Sequence, residues 1–246
     1  MKAARALISI ALLLTVLIPA NSVVISQASL NPPNLSQCES VRIYSVGSNS
    51  FGTGSPYGDA TVLVTICKIA ESIPDYDWYF YDVRFNTVPG ASIYNSMWET
   101  AHEYAYHKVW SPGPHRFLWA HSPGTTSASS GQTQTVTISV SIGSIGFSYS
   151  TSYTISWLDI IDKTNYNTNE ANWEADFNEK NDPQKTGPSV VSTTLEYSFI
   201  VVTGPMFCSF VDGKYGVMWG YLNWLWWNYK TFWTNTIYLD LCPYTA

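Results

Sequence analysis

Residues Gln132–Trp157 read QTQTVTISVSIGSIGFSYSTSYTISW. Apolar side chains fall at every second position: Val136, Ile138, Val140, Ile142. After Gly143-Ser144 they resume in the opposite numbering phase: Ile145, Phe147, Tyr149, Tyr153, Ile155, Trp157. The intervening positions are almost pure hydroxyl: Thr135, Thr137, Ser139, Ser141, Ser148, Ser150, Ser152, Thr154, Ser156. Strand side chains point to opposite faces in turn, so strict alternation means one buried and one polar face. A helical period of 3.6 would scatter the same apolar residues around the cylinder. The phase change predicts a hairpin turning at Gly143-Ser144, with Gly143 supplying the positive φ of a type II′ turn. Ile142 is then expected opposite Ile145, Val140 opposite Phe147, and Ile138 opposite Tyr149. No Lys, Arg, Asp or Glu occurs between Arg116 and Asp159.

The rest of the chain points to the same class. Short apolar or aromatic runs at Val41–Val46, Thr61–Ile69, Tyr76–Phe85, Arg116–Ala120, Leu195–Thr203, Met206–Val211, Tyr215–Leu222 and Phe232–Leu241 are separated by Gly, Pro, Ser and Asn. Such spacing predicts an all-β fold of about eleven strands, a two-sheet antiparallel sandwich of jelly-roll type carrying one long amphipathic hairpin. Ala171–Phe177 alternates as a strand with an acidic outer face, with a short helix as the rival reading. Asp159–Asn169 reads as a turn region.

The N-terminus reads as a secretory signal over residues 1–28. Lys2 and Arg5 precede an apolar run to Ile18, and Ser26-Gln27-Ala28 offers a cleavage site. The alternative is an uncleaved anchor running to Ile25. An arm at 29–40 and a single sandwich domain at 41–246 complete the expected organisation. The whole chain holds 12 basic and 18 acidic residues. Loss of Lys2 and Arg5 leaves 10 against 18, or −8, which argues against nucleic acid as a partner. The four cysteines, Cys38, Cys67, Cys208 and Cys242, suit two disulfides in an exported chain. Neighbouring antiparallel strands favour Cys38 with Cys67 and Cys208 with Cys242.

Several motifs point to chemistry and fail on spacing. Gly52-Thr53-Gly54 with Gly58 lacks the dinucleotide spacing and a following helix. His102 and His107 lie one residue too far apart for a zinc-protease helix: about 500° rather than about 400° of turn. They are expected as polar surface or loop residues. The acids from Asp159 to Asp182 lack EF-hand spacing and read as a solvated surface. Glu99, Glu103, Glu174, Asp176 and Glu196 are the carboxylates from which a glycosidase pair would be drawn, and no motif selects two of them. Asn34-Leu35-Ser36 is the one glycosylation sequon. No motif indicates a catalytic residue, a metal or a cofactor.

Pro123-Gly124-Thr125-Thr126, the run TVTISVSIGSIGFSYSTSYTI at Thr135–Ile155, and Ala171-Asn172-Trp173-Glu174 before a Pro/Gly loop resemble a group of exported β-rich proteins of thermophilic archaea with no established activity. The resemblance spans about residues 76–205. It implies export and an all-β fold, and carries no functional residue across.

Three functions fit these residues. The first is a secreted or cell-surface protein without enzymatic activity, structural, adhesive or self-assembling. The second is a membrane-active pore-former inserting the 132–157 hairpin, with Val136, Ile138, Val140, Ile142, Ile145, Phe147 and Tyr149 as the inserting or assembling residues. The third is a glycan-binding module. Its candidate residues are Trp224, Trp226, Trp227 and Tyr229 in the densest aromatic cluster, which equally suit a membrane interface. The partners are accordingly a second copy of the chain, a cell-surface partner, a membrane or a glycan.

Overall fold

The computed structural model describes residues 36–110, 115–127, 133–156, 158–177, 192–205, 207–223 and 226–242. The expected signal at 1–28, the Asn34 sequon, most of the arm at 29–40, and Gln132, Trp157, Asp182 and Trp224 lie outside these residues. Fourteen strands occur among them, all paired antiparallel.

The first sheet contains β1 (Cys38–Val46), β2 (Gly58–Ile69), β3 (Asp77–Pro89), β5 (Phe117–Ser122) and β11 (Thr193–Thr203), in the order β1-β2-β3-β11-β5. The second contains β4 (Glu99–Val109), β6 (Thr126–Ser127), β9 (Asp159–Asp162), β10 (Glu170–Asp176), β12 (Ser209–Asn223) and β13 (Trp226–Trp233). Their order is β13-β12-β4-β10-β9-β6, with β14 (Ile237–Leu241) also on β12. The hairpin strands β7 (Thr133–Ile142) and β8 (Phe147–Ser156) form a two-stranded sheet of their own.

Two β-rich faces pack together because alternation leaves each sheet one apolar side to bury. Val62, Val64, Tyr81, Phe85 and Phe199 of the first sheet meet Trp173, Tyr215, Val217 and Trp219 of the second. Tyr81 stacks on Phe199 at 4.6 Å between centroids. β3 and β11 are buried on both faces. Their odd-numbered residues enter the inter-sheet core. Their even-numbered residues, Phe80, Asp82, Arg84, Glu196, Ser198 and Ile200 among them, lie under the hairpin. The sandwich therefore carries a third, partial layer. Both disulfides pair as favoured, Cys38–Cys67 and Cys208–Cys242.

Several local expectations are corrected. Asp159–Asp162 is a strand rather than a turn, because β10 offers it a ladder. Of the expected strand Met206–Val211, Ser209–Val211 runs on into Tyr215–Leu222 as the single 15-residue β12. Gly213 runs straight through, held between His107 on β4 and Ile237 on β14. Phe232–Leu241 instead divides after Trp233, where Thr234 turns to exchange hydrogen bonds with the Tyr215 backbone. His107 is not a surface residue. It is fully buried, with Nδ1 2.9 Å from the Ala171 carbonyl and Nε2 3.1 Å from the Tyr215 hydroxyl, and burial lowers its pKa to about 4. His102 points to the other face of β4, as the odd spacing requires, and pairs with Asp176 at 3.6 Å.

Candidate functional site

The turn half of the hairpin docks on the outer face of the first sheet through the apolar side that its alternation creates, while Val136, Ile138, Tyr153 and Ile155 nearer its base join the core cluster that runs between the sheets. Val136, Ile138, Val140, Ile142, Phe147, Tyr153 and Ile155 are buried. Tyr149 is half-buried, and so is Ile145, which lies in the turn. On the opposite side the hydroxyls face one another in register: Thr135 with Thr154, Thr137 with Ser152, Ser139 with Ser150, Ser141 with Ser148. Thr137 and Ser152 hydrogen-bond at 3.1 Å. This row is open to solvent, with only Thr154 partly covered.

The turn differs from the expected one. Ile142 pairs with Phe147, so the loop is Gly143–Gly146, a 3-10 turn closed by Gly146 at φ 73°. The facing pairs become Val140 with Tyr149, Ile138 with Thr151 and Val136 with Tyr153. The register moves by two residues, which leaves every side chain on its expected face.

Among the described residues neither arm pairs with a strand outside the hairpin. The body reaches its backbone through side chains. Ser139 N donates to Ser122 Oγ at 3.1 Å. At the turn, Gln37 acts as an amide clamp: its Nε2 donates to the Gly146 carbonyl at 3.2 Å, and its Oε1 accepts from Ser148 N at 3.3 Å. Gln37 is fixed by its neighbour Cys38, which is tied to β2.

The surface beneath the hairpin has two characters. Near the turn it is apolar, where Val140, Ile142 and Phe147 pack with Cys67, Ile69, Trp78, Phe80, Ile200 and Val202. Further along it is ionic. Arg84 Nε lies 3.0 Å from Asp82 Oδ2, and Arg84 Nη2 lies 3.6 Å from Glu196 Oε2. Tyr149 of the hairpin reaches into this group, donating to Glu196 Oε1 at 2.5 Å and accepting from Arg84 Nη2 at 3.4 Å. Tyr153 donates to the Glu196 carbonyl at 3.2 Å. Asp82 and Glu196 are 1% exposed and Arg84 7%. Thr65, Asp82 and Ser198 form one register row across β2, β3 and β11. Thr65 Oγ1, Asp82 Oδ1 and Ser198 Oγ are buried without a hydrogen-bond partner among the described residues. Burial, and next the charge of Glu196, raise the Asp82 pKa well above the ordinary carboxylate value, with Arg84 opposing. Burial, then Asp82, raise that of Tyr149, which stays neutral.

The aromatic candidates lie on β13. Trp226 is 76% exposed and Tyr229 46%, while Trp227 is half-buried with its ring 6.3 Å from that of Tyr229. Asn223 pairs with Trp226, so the cluster caps the β12–β13 hairpin. The base of the β7–β8 hairpin faces the same end. Asp159, just after β8, aligns with Asp176, His102 and Met218 in one row across the second sheet. Asn223 is five residues beyond Met218 on β12, roughly 17 Å further along. The Gly143–Gly146 turn points to the opposite end, beside Gln37.

Of the carboxylates considered for glycoside hydrolysis, only Glu174 and Asp176 are neighbours, two residues apart on the outer face of β10. Glu103 is between the sheets, Glu196 under the hairpin, and Glu174 beside Lys163 and Tyr106 on the outer face of the second sheet. Among the described residues no group of His, Cys, Asp or Glu is arranged to hold a metal ion. Gln37, and the grouping of Glu196 with Asp82 and Arg84, escaped sequence reading. Their one signal was charge at alternate positions of an otherwise aromatic β3.

No family model matches the chain, and no curated protein does. Among the solved structures similar to this chain are two related to pore formation. One is described as a pore forming protein, at TM-score 0.43 and 9% identity, covering 81% of this chain and 89% of that one. The other is the Clostridium perfringens NetB toxin in its membrane inserted form, at TM-score 0.36 and 8% identity, covering 82% and 94%. Both scores lie below 0.5, and the function proposed below rests on this chain's own geometry.

Proposed function

We propose that the protein is a membrane-active pore-former whose β7–β8 hairpin leaves the first sheet and inserts into a bilayer. The observation that carries this reading is the hairpin itself: ten residues per arm, free of charge, amphipathic, and docked as a separate layer that shares no strand pairing with the body among the described residues. Nine to eleven tilted residues span a hydrocarbon core, so each arm has the needed length. A lone hairpin leaves two open edges that lipid cannot satisfy. Several chains must therefore each contribute one hairpin to a closed barrel, with Val136, Ile138, Val140 and Phe147 toward lipid and the Ser/Thr rows toward a water-filled lumen.

Geometry supports the direction of insertion. The hairpin base faces the same end of the sandwich as Trp226, Trp227 and Tyr229. Tryptophan and tyrosine favour the headgroup level, so they suit first contact with the membrane near the point where the hairpin swings out. No helix among the described residues is long and apolar enough to cross a membrane, which says nothing of strands. Two disulfides fit an exported protein. The test is dye release from lipid vesicles over a range of pH and protein concentration. Release is expected, and its absence throughout contradicts the proposal. The exposed, charge-free hydroxyl face would then favour ordinary self-assembly, since charge normally guards a sheet against pairing.

A further inference from the structure

The hairpin seals a group of charges that it does not itself balance. Asp82 and Glu196 bring two carboxylates and Arg84 one guanidinium, all nearly inaccessible. The hairpin contributes no charged residue between Arg116 and Asp159. The groups facing the cluster from the packed elements are Asp82 and Arg84 on β3, Glu196 on β11, and the Tyr149 and Tyr153 hydroxyls on β8. Thr65 on β2 and Ser198 on β11 add neutral hydroxyls without partners. With every acid ionised the docked cluster carries one uncompensated negative charge. Burying such a charge is costly, and a protein relieves it by neutralising the group. A proton supplies that neutralisation. Bound on Asp82, it also turns that carboxyl into a donor toward Glu196 and removes the like-charge contact.

We propose that the Asp82–Arg84–Glu196 cluster is a proton-operated latch: docking the hairpin takes up one proton at this carboxyl pair, and rising pH releases the hairpin. This regulation rests on the pore-forming reading above. The direction of the Asp82 shift agrees with it, because burial is its first cause and the hairpin is what buries the group. With the hairpin away, the outer face of the first sheet meets water and Asp82 returns toward the ordinary value of about 4. The docked state then holds more protons than the open one, so docking weakens as pH rises, and it strengthens in acid. The window opens near the ordinary Asp value and closes at the raised one. Inside it one proton changes the docking equilibrium by up to about tenfold per pH unit.

Hydrogen exchange of the full chain tests the latch, read as protection factors so that intrinsic rates cancel. An undocked two-stranded hairpin is marginal in water and exchanges freely. Protection of the β7–β8 amides should fall between pH 5 and pH 8, by up to about tenfold per unit, relative to β12 amides in the same molecule. Asp82→Asn should hold acid-like protection across the range. Glu196→Gln, which leaves a balanced Asp82–Arg84 pair, should flatten the slope independently if Asp82→Asn folds poorly. A flat wild-type profile, or an unchanged slope in either folded variant, overturns the latch. Vesicle release reports separately on the pore: a slope without release keeps the latch and removes the pore, and release without a slope does the reverse.

Discussion

Glu103 is wholly buried between the two sheets, where its Oε1 accepts from Thr87 Oγ1 at 2.7 Å and Thr193 Oγ1 at 3.1 Å. Burial pushes its pKa up to about 8, against the lowering effect of the two threonines. The folded state thus binds a proton that the unfolded state has lost above the ordinary Glu range, so stability declines as pH rises toward 8. Glu103→Gln copies the protonated form. Urea unfolding should place the variant within about 1 kcal/mol of wild type at pH 5 and about 3 kcal/mol above it at pH 8. A constant difference across that range would show that Glu103 is not the group that titrates. Trp226 lies at the opposite extreme of exposure. Trp226→Ala should leave unfolding unchanged and reduce sedimentation with liposomes about tenfold, the loss expected of one interfacial ring worth roughly 1.4 kcal/mol. Equal binding by the variant would remove this tip from the membrane. Residues of this kind were unevenly legible in the sequence. The exposed aromatic cluster was visible as composition. The place of Glu103, His107 and Glu196 was not, because a carboxylate or imidazole in an apolar run is buried or exposed according to which sheet later covers it.

At the scale of the element, the β7–β8 hairpin is where sequence and structure agree best, for a physical reason. Two-residue alternation fixes which face each side chain takes, independent of the partner. The turn was less legible, since Gly143 and Gly146 both tolerate positive φ, and the chain uses Gly146. The error cost nothing in facing, because a shift of two residues preserves the pleat. The docked face gains about 1.5–3 kcal/mol for each fully buried Val, Ile or Phe, and three orphaned polar atoms beneath it offset part of that gain. The hydroxyl face makes its own prediction. Ser139 is exposed and paired with Ser150, so Ser139→Lys should leave folding intact and place one cation per chain inside the proposed lumen. Planar-bilayer reversal potentials in a KCl gradient should then shift toward chloride selectivity. Unchanged selectivity in an active variant would take this face out of the lumen.

At the scale of the whole molecule, the sandwich was legible and its third layer was not. Alternation at Gln132–Trp157 announces one buried face without saying whether it meets the inter-sheet core or the back of a sheet. The relevant sign lay elsewhere in the chain, in the continuous burial of Asp77–Phe85 on β3 and of all of β11, which only a covered outer face explains. That arrangement gives the protein two separable parts: a body clipped by Cys38–Cys67 and Cys208–Cys242, and a hairpin held by apolar teeth, the Asp82–Arg84–Glu196 cluster and the Gln37 clamp. The central claim is that these parts come apart in function. Gln37 and Ser148 adjoin across the boundary, Ser148 N lying 3.3 Å from Gln37 Oε1. The direct measurement is dye release from vesicles by the Gln37→Cys/Ser148→Cys protein, joined by a short bis-maleimide and compared with each single variant carrying the capped reagent. The account predicts release by both singly labelled proteins and none by the cross-linked one. Equal release by the cross-linked protein would contradict it.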